Sequence, residues 1–184
     1  MKEKIILGSK EIQITLERLA CQLIEKHGDF SNTVLVGLQP RGVILSNRIK
    51  DILEQDYKLK DIKLGYLDIT FFRDDFRRRG EPIKANQTKI DFLVEDKNVI
   101  FIDDVLHSGR SSRAALTAIQ SFGRPSSVEL MVLIDRRYSR KLPIQPDYRG
   151  RKVDAYNDER VIVNWKEVDG EDAVYFEPIK DLKA

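Results

Sequence analysis

Short apolar runs along the chain alternate with amphipathic stretches. Runs rich in β-branched residues predict buried strands, which are covered on both faces in parallel sheets. They comprise residues 5–7, 33–38, 62–70, 99–102, 128–134, 161–165 and 173–176. Apolar residues at helical spacing follow Ser9, Gly42 and Arg113, which predicts three helices. This order predicts an α/β protein with a mainly parallel sheet and helices on both faces.

Length and charge narrow the class of protein. A chain of 184 residues predicts a single domain, 1–184. Lys and Arg number 32 against 30 Asp and Glu, so bulk charge does not indicate nucleic-acid binding. No apolar run approaches the ~20 residues of a membrane span, and the N-terminus lacks a signal peptide's apolar region. Because Cys21 is the single cysteine, an internal disulfide is excluded and a cytoplasmic location is expected.

The strongest chemical signal follows the apolar run at 99–102. Asp103 and Asp104 come directly after it, then a Ser/Gly-rich loop at 108–112, then a predicted helix. Carboxylates accept hydrogen bonds from neighbouring hydroxyls, while N–H groups at a helix start bind phosphate. Each half alone is also typical of a solvated loop or a helix cap. Both halves together favour a ligand with a diol and a phosphate, such as ribose 5-phosphate.

This stretch resembles the phosphoribosyl-pyrophosphate (PRPP) signature of type I phosphoribosyltransferases. The shared pattern is four apolar residues, Asp-Asp, two apolar residues and a loop of small residues. The resemblance implies that the acidic pair holds the ribose hydroxyls and is catalytic, and that the loop binds the 5-phosphate. The implied PRPP-binding residues are Asp103, Asp104, Val105, Leu106, His107, Ser108, Gly109, Arg110 and Ser111.

A second loop, Gln39-Pro40-Arg41-Gly42, follows the run at 33–38. The spacing from Gly37 to Gly42 is like that of a P-loop. However, no Lys-Ser/Thr follows, so a loop that binds a nucleoside triphosphate is not indicated. The resemblance implies that Pro40, Arg41 and Gly42 hold the pyrophosphate of PRPP. We predict that the Gln39–Pro40 bond is cis, since cis costs far less before proline than elsewhere. The alternative is a proline that merely begins a turn.

The resemblance covers nearly the whole chain and extends to the PyrR family, which combines uracil phosphoribosyltransferase activity with attenuation of pyrimidine-operon transcription. It is carried by Leu67-Asp68-Ile69-Thr70, Arg73-Asp74-Asp75, Gly123-Arg124-Pro125-Ser126-Ser127, Leu142-Pro143-Ile144 and Pro146-Asp147-Tyr148. It implies a type I phosphoribosyltransferase fold with a small hood at about 135–160. It also implies a flap at about 71–97, with a basic run at 77–79, that closes over PRPP.

For function, the PyrR resemblance implies that uracil and PRPP give UMP and pyrophosphate in pyrimidine salvage. It implies Mg²⁺ as cofactor, carried by PRPP, with no direct side-chain ligand expected. Arg136 and the backbone near Val161 are the implied base contacts, although Arg136 equally fits a surface ion pair. His107 is a candidate acid or base in catalysis, but it stands where the family usually has an aromatic residue, so we favour the interpretation of a bystander. UMP or UTP are further expected ligands, and a homodimer or a larger homo-oligomer is expected.

The regulatory half of the resemblance is less complete. The family commonly presents Thr and His to leader mRNA at the positions of Glu17 and Cys21, and often Arg at that of Gln145. A carboxylate there would repel RNA phosphate. Arg140 and Arg151 match basic positions of the hood. An alternative to the enzyme is therefore a uridine-nucleotide-responsive RNA-binding regulator with vestigial catalysis.

The hood also differs near the base. Asp135-Arg136-Arg137-Tyr138 stands where the family has Asp-Arg-Gly-His, and Ser139 looks like an insertion of one residue. A phosphoribosyltransferase for another base is therefore a third hypothesis.

Overall fold

A computed structural model describes residues 4–74, 85–155 and 159–178. The strands are β1 (Lys4–Leu7), β2 (Thr33–Leu38), β3 (Lys63–Leu67), β4 (Asn98–Leu106), β5 (Ser127–Arg137), β6 (Tyr148–Asp154), β7 (Glu159–Asn164) and β8 (Ala173–Pro178). The helices are α1 (Ser9–His27), α2 (Gly42–Gln55), α3 (Arg110–Ile119) and α4 (Lys166–Asp169), with short 3₁₀ turns at Thr70–Phe72 and Gln120–Phe122.

The main sheet has five strands in the order β3-β2-β4-β5-β6, and every neighbouring pair is parallel. Side chains of alternate residues enter different cores, as the two-residue repeat of a strand requires. Leu35 and Ile100 pack in one core with α1 and α2, whereas Val36 and Phe101 pack in a second core with α3. The predicted parallel sheet with helices on both faces is confirmed.

A smaller antiparallel sheet, in the order β1-β8-β7, accompanies the main one. It is tied to α2 through Arg48, whose Nη2 lies 2.6 Å from both Glu167 Oε2 and Asp172 Oδ1. The Arg48 guanidinium also lies 4.7 Å from the ring centroid of the fully buried Trp165. These contacts fix the short helix α4 against the helix that follows the second predicted loop.

The structure differs from the sequence prediction at several strand ends. β4 continues through the aspartate pair to Leu106 instead of ending at Ile102, because β5 pairs with it as far as Asp135. β3 ends at Leu67, before the predicted Thr70. The sequence predicted no strand at 148–154, yet β6 forms the edge of the main sheet there. The segment expected as hood, about 135–160, therefore includes part of the main sheet.

The Gln39–Pro40 bond is cis, as predicted. Gln39 N donates to Leu67 O at 3.0 Å, so this loop lies beside the end of β3. Part of the expected flap, residues 75–84, lies outside the described residues, and so does its basic run. Within the described ranges, the helices are all too short or too polar to cross a membrane.

Gly42 makes the closest approach between α2 and the sheet, and it generates a stability prediction. A Cβ built there would lie 2.2 Å from Ile102 O, in the central strand. We expect Gly42→Ala to lower the free energy of unfolding by about 2 kcal/mol, because backbone must shift to admit the methyl group. Urea denaturation measures the change.

Gly28 supplies the control, since it also adjoins a helix end but has no atom within 4 Å of a built Cβ. Its φ of 57° leaves only backbone strain, so Gly28→Ala should lower the free energy of unfolding by about 1 kcal/mol. A larger loss at Gly28 than at Gly42 would contradict the close-contact interpretation.

Candidate active site

The two predicted loops meet at the carboxyl edge of the main sheet. β2 and β4 are neighbouring parallel strands, with Gly37 paired to Ile102 near the end of their ladder. The backbone of Gly42 then passes directly over Ile102 and Asp103. Ligands of open α/β sheets bind at this edge, and the structure brings the acidic pair and the cis-proline loop together there.

Asp103 and Asp104 are half-buried at the end of β4. Asp103 Oδ1 accepts a hydrogen bond from Asp104 N at 3.0 Å, and Asp104 Oδ1 accepts one from Val105 N at 2.7 Å. Burial among protein atoms raises the pKa of both carboxyls, and the neighbouring Asp104 charge raises the pKa of Asp103 further. Ionising both carboxyls is therefore unfavourable, and hydroxyl donors or a cation would stabilise the charged pair.

A cup of about 190 Å³ lies next to this pair, at the start of α3. Its lining residues are Arg73, Asp103, Val105, Leu106, His107, Ser108, Gly109, Arg110, Ser111, Ser112 and Val132. Gly109 caps α3 with a φ of 87°, a backbone conformation that favours glycine. The predicted phosphate loop thus surrounds one cavity at a helix N-terminus.

Arg73 also lines this cup, although the sequence analysis did not assign it to the site. Its Nη1 donates to Ser111 Oγ at 3.1 Å, and its charge opposes the rise in the pKa of Asp103. The signal was present in the sequence, since Arg73 belongs to one of the motifs that carry the PyrR resemblance. Because Arg73 lies far from the signature in the sequence, spacing alone did not predict this contact.

Arg41 is held by the smaller sheet and α4. Its Nη1 donates to Val163 O at 2.7 Å and to Asp169 Oδ2 at 2.9 Å. The hydrogen bond to Asp169 raises the pKa of Arg41, and the charge of Asp104 adds to this effect. Arg41 Nη2 also donates to Asp169 Oδ1 at 3.3 Å, and the Arg41 side chain as a whole is 40% exposed. No sequence signal pointed to Asp169.

The predicted base contacts line a cleft of about 640 Å³. Arg136 and Val161 both border it, and Arg136 Nη2 donates to Glu159 O at 2.9 Å. Burial lowers the pKa of Arg136. His107 borders this cleft and the cup, so the two cavities adjoin there. Burial and nearby Arg and Lys charges lower the pKa of His107, which keeps the ring neutral at pH 7.

The two arginines assigned to RNA make contacts within the protein. Arg140 Nη2 lies 2.5 Å from Asp135 Oδ1, and its Nη1 donates to His107 O at 2.7 Å. Arg151 Nη1 donates to Ile6 O at 2.9 Å. Glu17 and Cys21 are exposed on α1, as their spacing predicted. The RNA-binding roles of these residues stay predictions.

Comparisons with known proteins agree with this geometry. The family model of the phosphoribosyl transferase domain matches residues 4–167. A bifunctional protein PyrR from Gloeothece citriformis is 46% identical over 169 residues, which cover 92% of this chain and 94% of the relative. One from Desulfosudis oleivorans is 43% identical over 173 residues, or 94% and 95% of the two chains.

Solved structures show the same fold. A hypoxanthine phosphoribosyltransferase of Trypanosoma cruzi matches with a TM-score of 0.71 at 16% identity, covering 96% of this chain and 97% of that one. A hypoxanthine phosphoribosyltransferase from Staphylococcus aureus matches with a TM-score of 0.67 at 20% identity, covering 96% and 91%. The architecture is the type I phosphoribosyltransferase fold.

The raised pKa of Asp103 generates a prediction about stability and pH. Because the folded protein holds this proton more tightly than the unfolded chain, the stabilisation is present below the unfolded pKa of about 3.9 and is lost as the pH rises through the folded value. We therefore expect Asp103→Asn to raise the Tm by a few degrees at pH 7. The gain should shrink towards pH 4. Thermal melts across this range measure it.

Asp29 provides a control of opposite sign. A hydrogen bond from Ser31 N lowers its pKa, so its charge favours the folded state. Asp29→Asn should give no gain in Tm at pH 7. A lower Tm for Asp103→Asn than for the unaltered protein at pH 7 would contradict the destabilising role of the acidic pair.

Proposed function

The chain belongs to the PyrR family of phosphoribosyltransferases, and we propose that it transfers the ribose 5-phosphate of PRPP to uracil, giving UMP and pyrophosphate. The observation that supports this most is the adjacency of two cavities that share His107. One is lined by Asp103 and by the N-terminus of α3, a combination suited to a ribose phosphate. The other, of about 640 Å³, is large enough for a nucleobase and is lined by both polar and apolar residues, including Arg136 and Val161.

Within the first cavity, Asp103 and Asp104 would accept hydrogen bonds from the two ribose hydroxyls. The N–H groups at the start of α3 and the cation of Arg73 would hold the 5-phosphate. These contacts fix the anomeric carbon at the mouth of the base cleft. A bond then forms from uracil N1 to that carbon as its bond to the pyrophosphate oxygen breaks, and the N1 proton passes to the released pyrophosphate. Positioning supplies most of the rate.

Within the second cavity, the base would lie between Arg136 and the start of β7. On the edge away from N1, uracil presents its N3–H between two carbonyl oxygens. This edge suits a site with both donors and acceptors. The guanidinium of Arg136 and the backbone of residues 159–161 offer these groups. Because Arg136 is only 6% exposed, a ligand carbonyl would receive its hydrogen bonds in a setting shielded from water.

The family resemblance also implies Mg²⁺. Among described residues, no group of three or more His, Cys, Asp or Glu could enclose a metal. The acidic pair nevertheless fits Mg²⁺, which commonly binds through one or two carboxylates together with substrate phosphates. PRPP would carry the ion into the site beside Asp103 and Asp104, where it would neutralise the charge of the leaving pyrophosphate. A cytoplasmic location and a homo-oligomeric assembly stay predictions.

The activity is tested by incubating the protein with PRPP, Mg²⁺ and each nucleobase separately, and by separating the products by chromatography. We expect UMP from uracil. We expect Asp104→Asn to lower kcat/KM by about a hundredfold or more, since it removes charge from the centre of the site. Asp29→Asn, at the opposite edge of the sheet, should leave kcat/KM unchanged.

Formation of a nucleotide from another base, without UMP, would replace uracil and favour the third hypothesis. Full turnover by Asp104→Asn would overturn the role given to the acidic pair.

A regulator that binds leader mRNA is the second candidate, because curated relatives at 43–46% identity are named bifunctional. In this chain α1 presents Glu17 and Cys21 to solvent, and a carboxylate there opposes binding of phosphate. We therefore expect no shift of pyrimidine-leader RNA at low salt, with or without UMP. Electrophoretic mobility measures it.

The double variant Glu17→Thr with Cys21→His restores the residues that the PyrR resemblance associates with RNA. It should bind leader RNA more tightly than the unaltered protein. A specific, UMP-dependent shift by the unaltered protein would favour the regulator.

A further inference from the structure

Residues 140–144, here called the cover segment, lie against residues 107–109 of the phosphate loop. Lys141 N and Leu142 N both donate to Ser108 O, at 3.1 and 3.2 Å. Arg140 Nη1 donates to His107 O at 2.7 Å. Consecutive carbonyls of the phosphate loop are thus both held by the cover segment.

Because the peptide bond is planar, these contacts also fix the direction of the N–H groups in the loop. In a trans peptide, the C=O of one residue and the N–H of the next point in opposite directions. With the carbonyls of His107 and Ser108 directed at the cover segment, the N–H groups of Ser108 and Gly109 point away from it. Both residues line the cup assigned to the 5-phosphate. Anchoring the carbonyls therefore orients phosphate donors.

Arg140 is itself fixed at its other nitrogen. Nη2 lies 2.5 Å from Asp135 Oδ1, and the Asp135 side chain is only 6% exposed. Asp135 stands near the end of β5, opposite Leu106 of β4 in the ladder. A planar guanidinium bridging two acceptors has little freedom to rotate, which a single ammonium would retain. The rigid sheet is thereby connected to the phosphate loop through one side chain.

We propose that Arg140 is a positioning residue for the PRPP phosphate loop, bridging the Asp135 carboxylate and the His107 carbonyl so that the loop N–H groups are presented to phosphate. This role differs from the RNA contact that the family resemblance assigns to the same position, and it rests on the proposed phosphoribosyl transfer. Arg140 acts on the phosphate loop through the His107 carbonyl, and its side chain also borders the base cleft.

The test measures binding of PRPP with Mg²⁺ by isothermal titration calorimetry, without any base. Arg140→Gln should weaken binding about tenfold, because a charge-assisted hydrogen bond that orders the loop is lost. Arg140→Lys should fall between Gln and the unaltered protein, since an ammonium keeps the charge but not the bridge. In turnover, the KM for PRPP should rise by a larger factor than the KM for the base, whose cleft Arg140 borders.

Arg149 supplies a matched control. Its Nη1 lies 3.4 Å from Asp135 Oδ2, so it approaches the same carboxylate. Within the described residues, no hydrogen bond or ion pair joins its side chain to the phosphate loop. Arg149→Gln removes the same charge and should leave PRPP binding within twofold. Circular dichroism checks that each variant is folded; if Arg140→Gln is not, Arg140→Lys decides the outcome by the same titration.

The outcomes separate this inference from the proposed function. PRPP binding that is equal in Arg140→Gln and the unaltered protein would overturn the positioning role alone, as would equal losses in the Arg140 and Arg149 variants. An unaltered protein that binds no PRPP would overturn both. Use of a base other than uracil would overturn the uracil assignment and leave the Arg140 result standing, because the titration contains no base.

Discussion

The burial of two adjacent carboxylates at the end of β4 is the constraint on which the site depends. Burial raises the pKa of both, so at neutral pH their charges oppose folding. Hydrophobic packing must offset this. The preceding residues of β4, from Val99 to Ile102, are at most 1% exposed and contribute to cores on both sides of the sheet. The apolar part of β4 thus stabilises the fold, whereas its two carboxylates destabilise it until hydroxyl donors bind them.

The rest of the site is held by contacts that cross between elements. Gly42 brings the cis-proline loop onto β4, and Arg48 fixes the helix behind that loop to α4. On the other side, Arg140 and the cover segment hold the phosphate loop against β5. His107 lies where the cup and the base cleft meet. Each loop is therefore held by a different part of the fold: the cis-proline loop by β4, and the phosphate loop by the cover segment and β5.

Much of this arrangement was predictable from local patterns. The parallel sheet follows from the alternation of apolar runs and helices, and the signature identified the acidic pair and its loop. The strand β6 was not predictable, because an edge strand with only Tyr148 and Val153 buried has no apolar run. The pairing of Arg41 with Asp169 joins residues 128 positions apart, which no spacing encodes. Contacts of this kind depend on the tertiary fold, whereas strands and loop motifs can be predicted from short stretches of sequence.

The internal contacts of the arginines bear on the choice between enzyme and regulator. A guanidinium whose donors are directed at a carboxylate and a backbone carbonyl presents fewer of them to an external phosphate. Arg140 is in that position, and Arg151 donates to Ile6 O. With an acidic residue at Glu17, the surface that resembles an RNA face has less available positive charge than its count of arginines suggests. Arg140 contacts the His107 carbonyl, and Arg151 joins β6 to β1, so both side chains have structural partners within the protein itself.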